Sequence, residues 1–109
     1  MPATPFEDEN LPLFTVGQVS AMLEVRQAFL RRLDEHGVVQ PSRSGGGQRR
    51  YTQREVVLVQ YVTRLADEGM TLAAIRRVLT LEKRIRELEA ECDALRAALA
   101  EQRGSGPGR

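Results

Sequence analysis

Apolar residues recur at helical spacing in four places along the chain. Val16, Val19, Met22 and Leu23 make the first run, and their spacing predicts a helix over 16–23. Thr15 stands where a cap is needed, and Gln18 follows three residues later, as in a capping box. Phe29, Leu30 and Leu33 make the second run, which Gly37 ends as a C-terminal glycine should. Two short helices with a tight join suggest a helix-turn-helix. Thr52 and Glu55 repeat the capping signal. Behind them Val56, Val59, Val62 and Leu65 form a third apolar face, widened by Val57, Leu58 and Tyr61, until Gly69. Thr71 opens a fourth run with Leu72, Ile75, Val78 and Leu79.

No helix breaker follows until Gly104. Val78, Leu81, Ile85, Leu88, Cys92, Leu95 and Leu99 alternate in steps of three and four, which is a heptad seam. Val78, Ile85, Cys92 and Leu99 take its a positions, and Leu81, Leu88 and Leu95 its d positions. A lone helix with this stripe leaves the seam wet, so the expected partner is the same helix of another copy. The alternative is that it folds back on its own domain. Parallel pairing matches Arg77 with Glu82, Arg84 with Glu89 and Glu91 with Arg96. Antiparallel pairing matches Glu89 with Arg96 and Glu82 with Arg103. The charges allow both directions.

Between the second and third helices lies "SRSGGGQRRYTQREV", residues 42–56. Three glycines there could cradle a phosphate, flex as a linker or turn a hairpin. "VVQP" (38–41) is β-branched and "GQRRY" (47–51) can return as a second strand, which favours a hairpin wing. A Walker loop needs Gly-Lys-Ser/Thr at its end, and Arg49-Arg50-Tyr51 does not supply it.

Net charge is only +1, so overall charge names no partner. Its distribution does. From Glu24 to Arg54 the bases are Arg26, Arg31, Arg32, Arg43, Arg49, Arg50 and Arg54, against Glu24, Asp34 and Glu35. Arginine forks suit phosphate and guanine edges. In this segment Arg26, Gln27, Arg31 and Arg32 are candidates on the second helix. Arg43, Arg49, Arg50 and Tyr51 are candidates on the wing, and Thr15 joins them at the start of the first helix. One cysteine and one histidine, Cys92 and His36, exclude a disulfide framework and a single-chain zinc site. No catalytic set, cofactor motif or membrane-length apolar run is present, and no secretory leader opens the chain. A cytoplasmic, non-enzymatic protein is expected. The expected divisions are a disordered acidic tail over 1–13 with Phe6 and Leu11 as docking points, a DNA-binding domain over 14–79, a coiled-coil helix over 80–103, and a disordered tail over 104–109.

These residues resemble the MerR family of bacterial transcription regulators. "TVGQVSAMLEV" is similar to the family's first helix and turn, and "FLRRLDEHGVVQPSR" to its second helix and exit. "GGGQRRYTQREV" is similar to the wing, and "EGMTLAAIRRVL" to the element leading into the dimer helix. The resemblance implies a mainly α, winged helix-turn-helix fold followed by a long coiled-coil helix. It implies that Arg31 meets DNA from the recognition helix, that Arg49 and Tyr51 grip the backbone, and that Leu30, Gly37 and Pro41 are structural. The chain departs from the pattern at three places: Phe29 stands for a threonine, Arg32 and Leu33 for an aromatic pair, and Glu24 for the turn glycine. Within the family the short length, the wing and "GMTLAAIRRVLTLEKRIRELEAE" are most similar to the heat-shock repressor HspR subgroup. That implies repression of chaperone genes, with the chaperone DnaK as co-repressor. Only "GSGPGR" follows the dimer helix, so no sensor domain is expected, and Cys92 at an a position reads as a core thiol or as one half of a cross-dimer disulfide. Two functions are consistent with these features. One is a homodimeric regulator on an inverted-repeat operator, more in keeping with a repressor. The other is an adaptor on a MerR-like scaffold that docks a chaperone or RNA polymerase.

Overall fold

The computed structural model describes residues 10–43 and 46–104. The chain divides after Arg76 into two compact units. Its elements run β1 (Pro12–Phe14), α1 (Val16–Leu23), α2 (Gln27–Glu35), β2 (Ser42–Arg43), β3 (Arg49–Thr52), α3 (Gln53–Asp67) and α4 (Leu72–Gly104).

In the first unit the helices begin as their caps require. Thr15 accepts from the Gln18 N–H at 3.0 Å, and Gln18 Oε1 accepts from the Thr15 N–H at 2.8 Å. Thr52 and Glu55 form the same reciprocal pair at 3.0 and 2.8 Å. These boxes satisfy donors that the first turn leaves without partners. The Ala74 N–H donates to Thr71 Oγ1 at 3.1 Å at the start of α4.

The helices also end alike. After α2, Gly37 takes φ +68°, its N–H reaches the Asp34 carbonyl at 3.1 Å, and the Val38 N–H reaches the Leu33 carbonyl at 2.8 Å. After α3, Gly69 takes φ +99°, and the Gly69 and Met70 N–H groups bond Ala66 and Leu65 in the same way. Both are Schellman ends, in which a left-handed residue lets the chain fold back on its last turn. α1 also ends on a left-handed residue, Glu24, at φ 54° and ψ 42°, whose N–H bonds the Ser20 carbonyl. The Val25 N–H bonds the Ser20 carbonyl at 3.1 Å, and the Ser20 hydroxyl returns a bond to the Val25 carbonyl at 2.5 Å. Those bonds hold the turn between α1 and α2 although its residue carries a β-carbon.

The core is formed by Val19 of α1, Leu30 and Leu33 of α2, Val38 and Val39, Tyr51 of β3, Val56, Val59 and Val62 of α3, and Ile75 of α4. Three antiparallel strands lie in the order β1-β3-β2. Two expectations are corrected here. Pro12 and Leu13 are not part of a disordered tail: with Phe14 they pair against β3, Pro12 opposite Thr52 and Phe14 opposite Tyr51. The strand has only three residues and contains a proline, which an edge position tolerates because it lacks one ladder partner. The first wing strand is Ser42–Arg43, not Val38–Pro41. Val38 and Val39 are instead consumed by the α2 end and the core. Phe6 and its acidic neighbours, Ser44, Gly45 and residues 105–109 lie outside the described residues.

The second unit is the α4 helix from Arg77 onward. Leu81, Ile85, Leu88, Leu95 and Leu99 are exposed along it, as is Cys92, while Val78 is half-buried. Arg84 pairs with Glu87 at 3.5 Å and Arg96 with Asp93 at 3.6 Å. Such exposed pairs add only about 0.3–0.5 kcal/mol each.

The α1 end generates a stability test. A β-carbon in the left-handed region costs about 1–2 kcal/mol, partly offset by the greater freedom of glycine in the unfolded chain. Glu24→Gly is expected to raise the unfolding free energy by about 1 kcal/mol, read as a higher denaturant midpoint at unchanged slope. Glu24→Ala, which keeps the β-carbon, should give no such gain.

Candidate nucleic-acid interface

Leu30 and Leu33 pin one side of α2 in the core. Gln27 and Arg31, one helical turn apart, stay exposed on another side. In β3 the two-residue period puts Arg49 and Tyr51 on one face. Tyr51 is 1% exposed, whereas Arg49 is open to solvent. The two faces meet in a cleft of about 270 Å³. Gln27, Arg31 and Arg49 line it together with Asp34, and Val16, Leu30, Pro41 and Tyr51 complete it. The structure therefore gathers one residue pair from the second helix and one from the wing, although they are far apart in sequence.

The other candidates fall around this cleft. Arg32 is exposed, one position round the helix from Arg31. Arg26 is the N-cap of α2 without a side-chain cap bond, and it lines a different groove, with Phe29, Thr63, Ala66 and Asp67. Phe29, where the family pattern has a threonine, is half-buried and shares that groove with residues of α3. Leu33, where the pattern has an aromatic, is fully buried. Arg43 is exposed, and its Nη1 donates to the Gly47 carbonyl at 3.0 Å. Arg50 is half-buried, with Nη2 on Gln48 Oε1 at 3.1 Å. Thr15 is occupied by the α1 cap. At the wing turn Gly47 takes φ +79°, and a β-carbon at Gly46 or Gly47 would meet nothing within 4 Å. The backbone path at Gly47, not crowding, is what calls for glycine there.

Tyr51, to which the resemblance gives a grip on the DNA backbone, is 1% exposed in the single chain and lines the cleft beside Arg31 and Arg49. Burial, then the charges of Asp34 and Glu55, push its phenol above the ordinary value of 10.0, with Arg49 pulling the other way. Tyr51 is a floor on which the arginines stand.

Three charged contacts escaped the sequence. The Arg49 guanidinium is ion-paired with Asp34. The Ser42 hydroxyl donates to Glu55 Oε2 at 3.2 Å, joining β2 to the start of α3. The Arg76 guanidinium lies where a β-carbon at Gly37 would stand 3.7 Å from it, beside the carbonyl end of α2, where a cation is favoured. Asp34 was visible only as an acid inside an arginine-rich segment, and Glu55 only as the capping partner of Thr52. Nothing in their spacing named Arg49 or Ser42.

A helix-turn-helix with an arginine-bearing wing beside its second helix defines a DNA-binding regulator of the winged class. The MerR HTH family of regulatory proteins matches residues 14–82, and the chain belongs to that family. It is 36% identical to the heat shock protein HspR of Streptomyces coelicolor over 97 residues, covering 87% of this chain and 64% of that protein. It is 29% identical to the transcriptional regulator GlnR of Bacillus cereus over 74 residues, 68% of this chain and 57% of that one. The match thus spans less than two thirds of either curated relative. In fold it is similar to HiNmlR, a MerR family regulator lacking the sensor domain, in a crystal structure bound to promoter DNA. That likeness has a TM-score of 0.57 at 22% identity, over 84% of this chain and 80% of that one. A MerR family transcriptional regulator from Bacillus cereus also gives a TM-score of 0.57, at 18% identity, over 84% of this chain and 73% of that one.

The buried phenol generates a pH test. A raised value in the folded chain means that the stability from neutral Tyr51 is complete below about pH 10 and is lost as pH rises through the folded value. In Tyr61→Phe protein, where Tyr51 is the remaining tyrosine, ultraviolet titration should show tyrosinate appearing later in the folded than in the denatured chain. Thermal stability should fall over the same alkaline range.

Proposed function

We propose that this chain works as a homodimeric repressor on an inverted-repeat operator, in a bacterial cytoplasm. The observation that carries the reading is the cleft in which Gln27, Arg31 and Arg49 lie together. Arg31 and Gln27 are suited to base edges in the major groove, and Arg49, Arg50 and Arg43 to the flanking phosphates. Arg32 adds charge to the same side, and Arg26 reaches the duplex from the start of α2. Dimerisation uses the α4 seam of Val78, Leu81, Ile85, Leu88, Cys92, Leu95 and Leu99. The exposure of its leucines in a single chain supports that role. A dimer with two reading heads makes the operator a repeat and ties half-site spacing to the long helix. Similarity to the heat shock protein HspR supports a role in the heat-shock response, and chaperone genes as targets with a DnaK-type co-repressor are part of the proposal.

A second reading has its own observation. A groove of about 490 Å³ between α1 and α3 is lined by Met22, Leu23, Val57, Tyr61 and Arg64. Met22 is 52% and Val57 58% exposed. It shares no residue with the arginine cleft, so an adaptor that docks a chaperone or RNA polymerase there could also hold DNA. Met22→Asp with Val57→Asp should abolish capture of such a partner without weakening DNA binding.

Footprinting on genomic fragments should give two protected half-sites, with affinity falling steeply as salt rises because counterions are released. Arg31→Ala should cost about 1–3 kcal/mol and relax base preference within each half-site. Arg49→Ala should weaken all sequences alike and lower the salt slope by about 1 per protomer. No salt-sensitive footprint on any fragment would sink the reading. Leu88→Asp should yield monomers in analytical ultracentrifugation and single half-site binding.

A further inference from the structure

Asp34 and Arg49 come from α2 and β3, and their side chains meet as an ion pair, Arg49 Nη1 to Asp34 Oδ2. The acid is covered, with 14% of its side chain exposed, while the guanidinium side chain is 49% exposed. The other wing strand is fastened separately. Glu55 takes the Ser42 hydroxyl on Oε2 and the Thr52 N–H on Oε1. Glu55 is therefore committed to β2 and to the Thr52 end of β3, where α3 is capped, and Asp34 is the acid that holds Arg49. The root of the wing is held on both strands, while its turn at Gly46 and Gly47 is open.

We infer that Asp34 is a positioning residue for DNA binding, holding the Arg49 guanidinium between wing and recognition helix so that its open edge meets a phosphate. The inference rests on Arg49 being a backbone contact. A guanidinium has five donors in a fixed fork, so a bond to one carboxylate leaves donors for a second anion. The acid has two opposed effects. It orders a long side chain before DNA arrives, an advantage of about threefold to tenfold per protomer. It also repels the phosphate, a repulsion that weakens with distance and with salt. The inference requires ordering to be the larger effect while Arg49 is present. Without Arg49 only the repulsion remains.

The test is a cycle of Asp34→Asn and Arg49→Ala, with affinity measured on the footprinted site and folding checked by thermal melting. Asp34→Asn is expected to weaken binding about threefold to tenfold in the wild-type background. In the Arg49→Ala background it should leave binding equal or slightly tighter. Equal weakening in both backgrounds would make Asp34 merely structural and overturn the inference. Tightening in both would make it an inhibitory acid and overturn it as well. If Arg49→Ala itself has no effect, the backbone reading of Arg49 fails and takes the inference with it. If Arg49→Ala weakens binding and Asp34→Asn does not, the inference alone fails. The wild-type protein supplies a readout that needs no variant to fold. The Arg49 guanidinium protons should give slowed, separate magnetic resonance signals before DNA is added and keep them afterwards. Signals that sharpen into separate lines only with DNA would also overturn the inference.

Discussion

Burial of the Tyr51 ring is the constraint on which the first unit depends. Its strand, β3, lies between β1 and β2 and also touches α1 and α3. Tyr51 lines the cleft together with Leu30 and Val16. A buried aromatic of this size dominates the local energetics of so small a core. With the ring fixed, the two-residue period of the strand leaves Arg49 at the mouth of the same cleft. Thr52, one residue further, is buried and caps α3. A four-residue strand therefore sets the wing, the recognition helix face and the start of the third helix together.

The same economy governs the helix ends. α2 and α3 close with glycine in the left-handed region, and α1 closes with Glu24 in that region. The three ends share the longer fold-back bond, but the Glu24 N–H bonds the Ser20 carbonyl, four residues back, where Gly37 and Gly69 bond carbonyls three residues back. Ser20 helps to hold it there through a side-chain bond across the turn. The turn fixes how α2 leaves α1, and so where Gln27 and Arg31 point.

Charge is arranged as deliberately as packing. The arginines that crowd residues 26–54 are not uniformly solvated. Arg49 is matched by Asp34, Arg50 by Gln48, and Arg43 by a wing carbonyl. Partners of this kind restrain long side chains, and the one acid among them, Asp34, is little exposed. The result is a surface with net positive character in which Arg31 and Arg49 share a cleft although α2 and β3 carry them separately.

Sequence alone determined the helices, because each is written in local signals: the Thr15/Gln18 and Thr52/Glu55 boxes, the glycines at 37 and 69, and the apolar spacing between them. The bounds of α1 were legible for that reason. The resemblance to the family was legible too, since its elements follow one another in order. The structure alone decided the sheet, because β1 and β2 have two or three residues each and exist only by pairing with β3. It decided that Val38 and Val39 belong to the core, since the fold-back at Gly37 consumes them. It decided that Tyr51 is almost wholly covered and that Phe29 shares a groove with residues of α3, because burial is a property of neighbours brought from elsewhere in the chain. The Asp34–Arg49 pair belongs with these. Two charges 15 residues apart attract only after the core has turned a helix and a strand toward one another.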